Sequence, residues 1–216
     1  MTGARRGRIG RLLALTLLCL LLTPGTWLRE TNGELDLRNI LSHRRLNVPE
    51  PSDWPESLRL VGVWELESPN THFGGYSALL ALPGSRLVAY SDRGGVLTLT
   101  APGEGRLKPE FRAFSRTPAV AYNLDFESAT RDAVTGDRWI GIESANVIVR
   151  LSADGNPEAL RHPPEMRGWP GNCGAEAMVR LPDGRFVVLS EGDVRFSRAA
   201  GPGLLFSGDP VDTGEA

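Results

Sequence analysis

The sequence predicts an all-β protein, a β-propeller built of four-stranded blades of about 50 residues, on three observations. Three stretches follow one plan of strand, tight turn, strand and acidic end. They are GGYSALLALPGSRLVAYSDRGG from Gly74, DFESATRDAVTGDRWIGIESANV from Asp125 and NCGAEAMVRLPDGRFVVLSEGD from Asn172. Ser77, Glu127 and Glu176 open the three first strands, 50 and 49 residues apart. The second strands LVAYSD, WIGIES and FVVLSE are apolar almost throughout, as strands covered on both faces are. Four antiparallel strands recurring at this period is the pattern of a propeller blade.

The elements follow in chain order. Arg5, Arg6, Arg8 and Arg11 precede an apolar run of 11 residues from Leu12 to Leu22, which Thr23-Pro24-Gly25 then breaks. This predicts residues 1–25 as an export signal cleaved after Gly25, for a periplasmic or secreted protein. The alternative is an uncleaved membrane anchor over residues 12–28, the one route by which a membrane would be a partner. Residues 26–56 read as a polar connector with Pro49, Pro51 and Pro55, and residues 57–216 as the propeller domain. VGVWELES is its first strand, placed at an outer edge or where a ring closes. HFGGYSALLAL, RLVAYSD, GVLTLTA and EFRAFS make one blade. FESATRDA, DRWIGIES, NVIVRLS and the segment from Pro157 to Arg161 make the next. EAMVRL, RFVVLSE, VRFSRA and Leu204 to Ser207 make the third. Propellers close with about 4 to 8 blades, so three form an incomplete ring. Either the reading frame is truncated or a partner, an oligomer among the possibilities, closes it.

The middle stretch departs from its neighbours. Aligned on Arg86, Arg138 and Arg185, which open the second strands, its hairpin carries two extra residues and Glu143 falls one place early.

Composition narrows the function. The formal net charge is −2; loss of residues 1–25 removes four arginines and no acid, leaving −6. Nothing in that balance suggests nucleic acid as a partner. Cys173 alone would survive cleavage, so no internal disulfide is expected. Without an electropositive neighbour in sequence, its thiol reads as buried or inert.

The acids are the candidate chemistry. Asp125 and Glu127 lie two apart in a strand and share a face, and Glu176 is the equivalent of Glu127 one blade on. Asp92, Glu143 and Glu191 close the second strands. Convergence of these six would make an oxygen-rich cage suited to Ca²⁺, which takes about 6 to 8 oxygen ligands. Asp125, Glu127 and Glu176 are the candidate catalytic residues. Arg93 could clamp phosphate oxygens and Asn172 could add an amide. The structural alternative is that the acids cap turns or pair with Arg86, Arg138 and Arg185. Other motifs are weaker. Gly75-Tyr76-Ser77 lacks the final glycine of a nucleophile elbow, Leu79 standing in its place. His43, His72 and His162 have no metal-ligand spacing. Trp169, in the loop RGWPGN, is left open as a ligand platform.

The ordered set GGYSAL with AYSDRGG, DFES with WIGIES, and GAEAM with LPDGRFVVLSEG resembles the phytase-like family, the esterase-like activity of phytase domain of exported bacterial proteins. The resemblance covers about Phe73 to Asp193. It implies a propeller that continues past this chain in longer members, and hydrolysis of small-molecule phosphate or carboxylate esters. The function expected is therefore a metal-assisted ester hydrolase. The alternatives are a non-catalytic ligand- or protein-binding propeller and a truncated, inactive copy.

Overall fold

The computed structural model describes residues 15–19, 35–49, 54–55, 57–114, 124–170, 173–191 and 201–212. The chain divides into two units, Met1–Leu35 and Asp36–Ala216. In the first, residues 15–19 are helical. Among the described residues no helix is long and apolar enough to cross a membrane.

The second unit is all-β. Strand β1 (Ser42–Leu46) pairs antiparallel with β2 (Val63–Glu67), so the stretch read as a polar connector contributes a strand. Strands β3 (Tyr76–Leu82), β4 (Arg86–Ser91), β5 (Gly95–Thr100) and β6 (Glu110–Ala113) form a four-stranded meander, blade 1. Strands β7 (Phe126–Arg131), β8 (Arg138–Ile142), β9 (Val147–Leu151) and β10 (Pro157–Arg161) form blade 2 in the same order. Blade 3 has three described strands, β11 (Ala175–Arg180), β12 (Phe186–Ser190) and β13 (Gly203–Phe206). The segment expected as its fourth strand pairs directly with β12 and so takes the third position. The expected third strand, VRFSRA, lies outside the described residues.

The blades stand side by side as in a propeller, with first strand next to first strand: β3 against β7 and β7 against β11. Alternation sends the two faces of each sheet to different neighbours. Ala78, Leu80, Val88 and Tyr90 of blade 1 share a core with Phe126, Ile140, Ile142 and Val149 of blade 2. The opposite face of blade 2, with Trp139 and Ile148, shares a second core with Met178, Phe186, Val188 and Phe206 of blade 3. Edge-on aromatic contacts tie each seam, Phe126 to Tyr90 at 6.2 Å and Trp139 to Phe186 at 4.9 Å. Hydroxyls add to the second seam: Ser128 Oγ donates to the Ala175 carbonyl, and Thr130 Oγ1 accepts the Arg180 N–H at 2.9 Å.

Pairing settles how the blades correspond. Each first strand carries an irregularity at one place, between Tyr76 and Ala78, between Phe126 and Ser128, and between Ala175 and Ala177. The partners there are Ala78 with Tyr90, Ser128 with Gly141 and Ala177 with Leu189. Ser77, Glu127 and Glu176 are thus equivalent, and so are Asp92, Glu143 and Glu191, each two residues beyond the partner. The middle hairpin holds one extra residue rather than two, and the displaced residue is Arg138, not Glu143. Displacement turns Arg138 inward. It is 7% exposed, its guanidinium donating to Tyr90 Oη at 3.2 Å and the Ala153 carbonyl at 2.6 Å.

Candidate functional site

A β-bulge leaves one residue unpaired and re-aims its side chain. The unpaired positions here are those of Ser77, Glu127 and Glu176. Opposite each bulge, the second strand runs out into Asp92, Glu143 and Glu191. Local sequence thus sets a pair of polar side chains at one end of every blade, and blade packing brings the pairs together.

Two groups of carboxylates result. Asp125, Glu127 and Glu143 have ligand oxygens within 4.8 Å of one another, and so do Glu143, Glu176 and Glu191. Glu143 belongs to both. It is 7% exposed and opens a short 3-10 turn, Glu143–Ala145, with its N–H bonded to the Asp125 carbonyl at 2.9 Å. Acidic clusters of this kind are able to hold a metal ion. Among the described residues, no basic side chain forms an ion pair with any of the five. Asp92 lies outside both groups, within charge range of Glu127, and Ser91 Oγ donates to it at 3.1 Å. Arg93 stands 3.8 Å from Asp92 with its side chain 84% exposed. Asn172 lies outside the described residues.

The crowding shows in the protonation of two members. Burial raises the Glu127 carboxyl; a hydrogen bond from Ser77 works against this, and the charges of Asp125, Glu143 and Asp92 add to it. Glu176 is pushed up to about 7, by burial first, then by its hydrogen bond to Glu143 and the charges of Glu143, Glu127 and Glu191. A carboxyl raised in this way holds its proton more tightly folded than unfolded. Its stabilisation is complete below the ordinary 4.5 and is lost as pH rises through about 7. In chelator, the melting temperature should therefore fall between those two pH values, and Glu176→Gln should flatten that slope. An equal slope in the variant would assign it to other groups.

Two glycines allow the close approach. A Cβ at Gly75, where φ is +62°, would come within 2.4 Å of an Asp92 carboxylate oxygen. A Cβ at Gly174 would lie 2.8 Å from Glu143 Cα. Gly75→Ala should cost about 1–2 kcal/mol from the left-handed backbone alone and displace Asp92. Chemical denaturation would measure this, and an unchanged midpoint would show that the turn relaxes freely.

Several expectations require correction. Arg86, Arg138 and Arg185 do not pair with these acids, because they begin the strands that the acids end. Arg185 pairs with Asp183 at 2.8 Å instead. Trp169 is no ligand platform: it is 8% exposed, packed in the core between blades 2 and 3. Cys173 is buried. The glycines and the role of Ser77 as a partner of Glu127 were missed. A glycine just before two of the three first strands was their only signal.

The family model described as phytase-like, esterase-like activity of phytase, matches residues 71–213, which takes in all three blades. No curated protein matches the chain. Among solved structures, Kluyvelomyces marxianus Hsv2 is similar at 12% identity and a TM-score of 0.35, over 53% of this chain and 32% of that chain. The chain thus spans about a third of that protein's length. With its family model matched over more than half of its length, the chain belongs to the phytase-like family.

Proposed function

We propose that this is an exported phytase-like propeller protein whose acidic site binds a divalent cation, Ca²⁺ by preference, and hydrolyses small phosphate or carboxylate esters. The observation that carries the reading is the sharing of Glu143 by two carboxylate groups, each within 4.8 Å. The donor set suits the ion: hard oxygen ligands, five anionic side chains and no cation of the chain's own among the described residues. Asp125, Glu127, Glu143, Glu176 and Glu191 would hold it. When bound, such an ion polarises an ester oxygen or makes water a better nucleophile near neutral pH.

The chain's own residues have separate parts. Glu176, pushed up to about 7 in the cation-free site, would give up its proton to hold the ion, so cation binding should strengthen as pH rises through that range. Ser77 holds Glu127 in place through its hydrogen bond. Arg93, 84% exposed and 3.8 Å from Asp92, would have to turn from that carboxylate to orient a phosphate. The test is turnover of phosphate monoesters and carboxylate esters by the full chain, with Ca²⁺ and with chelator, beside calorimetric titration of Ca²⁺. Asp125→Ala combined with Glu127→Ala should abolish both binding and turnover, and unchanged values would sink the proposal. Cation binding without turnover across both ester classes would assign the second reading, a binding propeller. Among the described residues no basic side chain pairs with the five carboxylates, which favours that alternative.

A further inference from the structure

We infer that blade 1 carries a second binding site, for a small anion bearing two or more phosphate groups, at the end of its sheet opposite the acids. The inference rests on a group of basic side chains and is independent of the chemistry at the carboxylates. Strand register builds the site. Arg86, the first residue of β4, pairs with Thr100 at the close of β5, and Thr98 pairs with Glu110 at the start of β6. Alternation puts these four side chains on one face of the sheet. It is the face whose Val88, Tyr90 and Val96 form the core with blade 2. The loop between β5 and β6 brings Arg106 and Lys108 to the same place. Together these six side chains line an open cavity of about 650 Å³, within the range of about 300–1,000 Å³ that small-molecule sites occupy.

The charge there is unbalanced. Among the described residues, Arg86, Arg106 and Lys108 form no ion pair. Two carboxylates stand near, and both are engaged: Glu110 is 3.6 Å from Arg112, and Glu104 accepts from Ser85 Oγ at 3.4 Å. Arg112, on the same face of β6 as Glu110, leads to a further cation. A Cβ at Gly155, where φ is +84°, would stand 3.1 Å from Arg138 Nη1 and 3.7 Å from Arg112 Nη2, so the two guanidiniums converge on that turn. Arg138 is the independent observation. It is only 7% exposed, and its Nε has no hydrogen-bond partner. Its other nitrogens reach a hydroxyl and a carbonyl rather than a carboxylate. A buried guanidinium without a counter-charge is costly, and an anion in the neighbouring cavity offsets it. A chain with a net charge of −2 has thus gathered five cations at one end of one seam. Arginine forks and a lysine point charge are the groups that grip phosphate oxygens, and the hydroxyls of Thr98 and Thr100 add donors. A single phosphate would leave part of so wide a basic surface unmatched, whereas two or more linked phosphates cover it.

Calorimetric titration of pyrophosphate into the full chain, freed of divalent cations by dialysis, should show saturable binding at a single site. Arg106→Gln with Lys108→Gln, both exposed, should weaken it about a hundredfold, roughly tenfold for each charge-assisted bond lost. Their circular dichroism should be unchanged. Arg185→Gln, a base of blade 3 held by Asp183, controls for net charge and should leave the affinity native. Asp125→Ala with Glu127→Ala should leave it native too, so failure here and failure of the proposed ester hydrolysis are read apart. Inorganic phosphate should bind more weakly than pyrophosphate. Absence of pyrophosphate binding would overturn the inference, as would native affinity in the Arg106 and Lys108 double variant or an equal loss in Arg185→Gln. Capture of the chain by phosphatidylcholine vesicles containing phosphatidic acid, with no binding of free pyrophosphate, would also overturn it and assign the patch to a membrane surface.

Discussion

Glu143→Gln lowers Ca²⁺ affinity roughly a hundredfold, the scale on which ligand charge tunes such sites, while raising the stability of the cation-free protein. The two effects have one cause. Glu143 is the member common to both carboxylate groups, so its loss takes a negative ligand from each. The same substitution removes a buried charge beside Glu176, whose proton is held up to about 7 partly by that neighbour. Without the cation, like charges at close range oppose folding, and glutamine relieves this while keeping the shape. Calorimetric titration and thermal melts in chelator measure both. Glu110→Gln, an exposed acid on β6, serves as control and should change neither. A variant with native affinity would show that no ion is held at Glu143. A variant destabilised in chelator would show that the buried carboxylate is structural.

Phe126→Ala is the largest expected loss of stability, about 3–5 kcal/mol. Phe126 is fully buried at the start of β7, between the rings of Tyr90 at 6.2 Å and Phe114 at 4.9 Å. Its removal opens a cavity in the seam between blades 1 and 2 rather than inside one sheet. Domains of this size are stable by only about 5–15 kcal/mol, so much of the margin would go. The change also lies beside Glu127 on the same bulge, and cation affinity should fall with it. Leu205→Ala, on the exposed face of blade 3, is expected to shift stability by no more than about 0.5 kcal/mol in the isolated chain. Urea denaturation of the two variants makes the comparison, and similar midpoints would mean that the blades do not depend on their seam.

Much of this architecture was legible because it is local. Apolar patterning and turn residues mark β4 to β12 within a residue or two, while β3 starts at Tyr76, four residues after the expected His72. The spacing of Ser77, Glu127 and Glu176 survives as true equivalence. The error in the middle blade is instructive. Sequence places three arginines in line and treats Glu143 as out of step. Hydrogen-bond pairing does the reverse, because the one extra residue sits in the turn ahead of Arg138. A turn can absorb a residue at little cost, whereas a bulge locked between two blades cannot. The failure over Arg86, Arg138 and Arg185 has a similar origin. Opposite charges at the two ends of a strand look like partners in a pattern, yet a strand advances about 3.3 Å per residue and holds them apart.

What the sequence determined by itself was the all-β class, the blade unit and the acidic ends of its strands, since each follows from neighbouring residues along one chain segment. Only the tertiary structure decided that Glu143 serves two groups, that Asp92 stands outside both, and that Val179 and Leu189 remain uncovered. Those facts depend on how separate sheets pack. Apolar seams around Phe126 and Phe186 set the distance between carboxylates that lie tens of residues apart, and nothing in a local pattern encodes that distance.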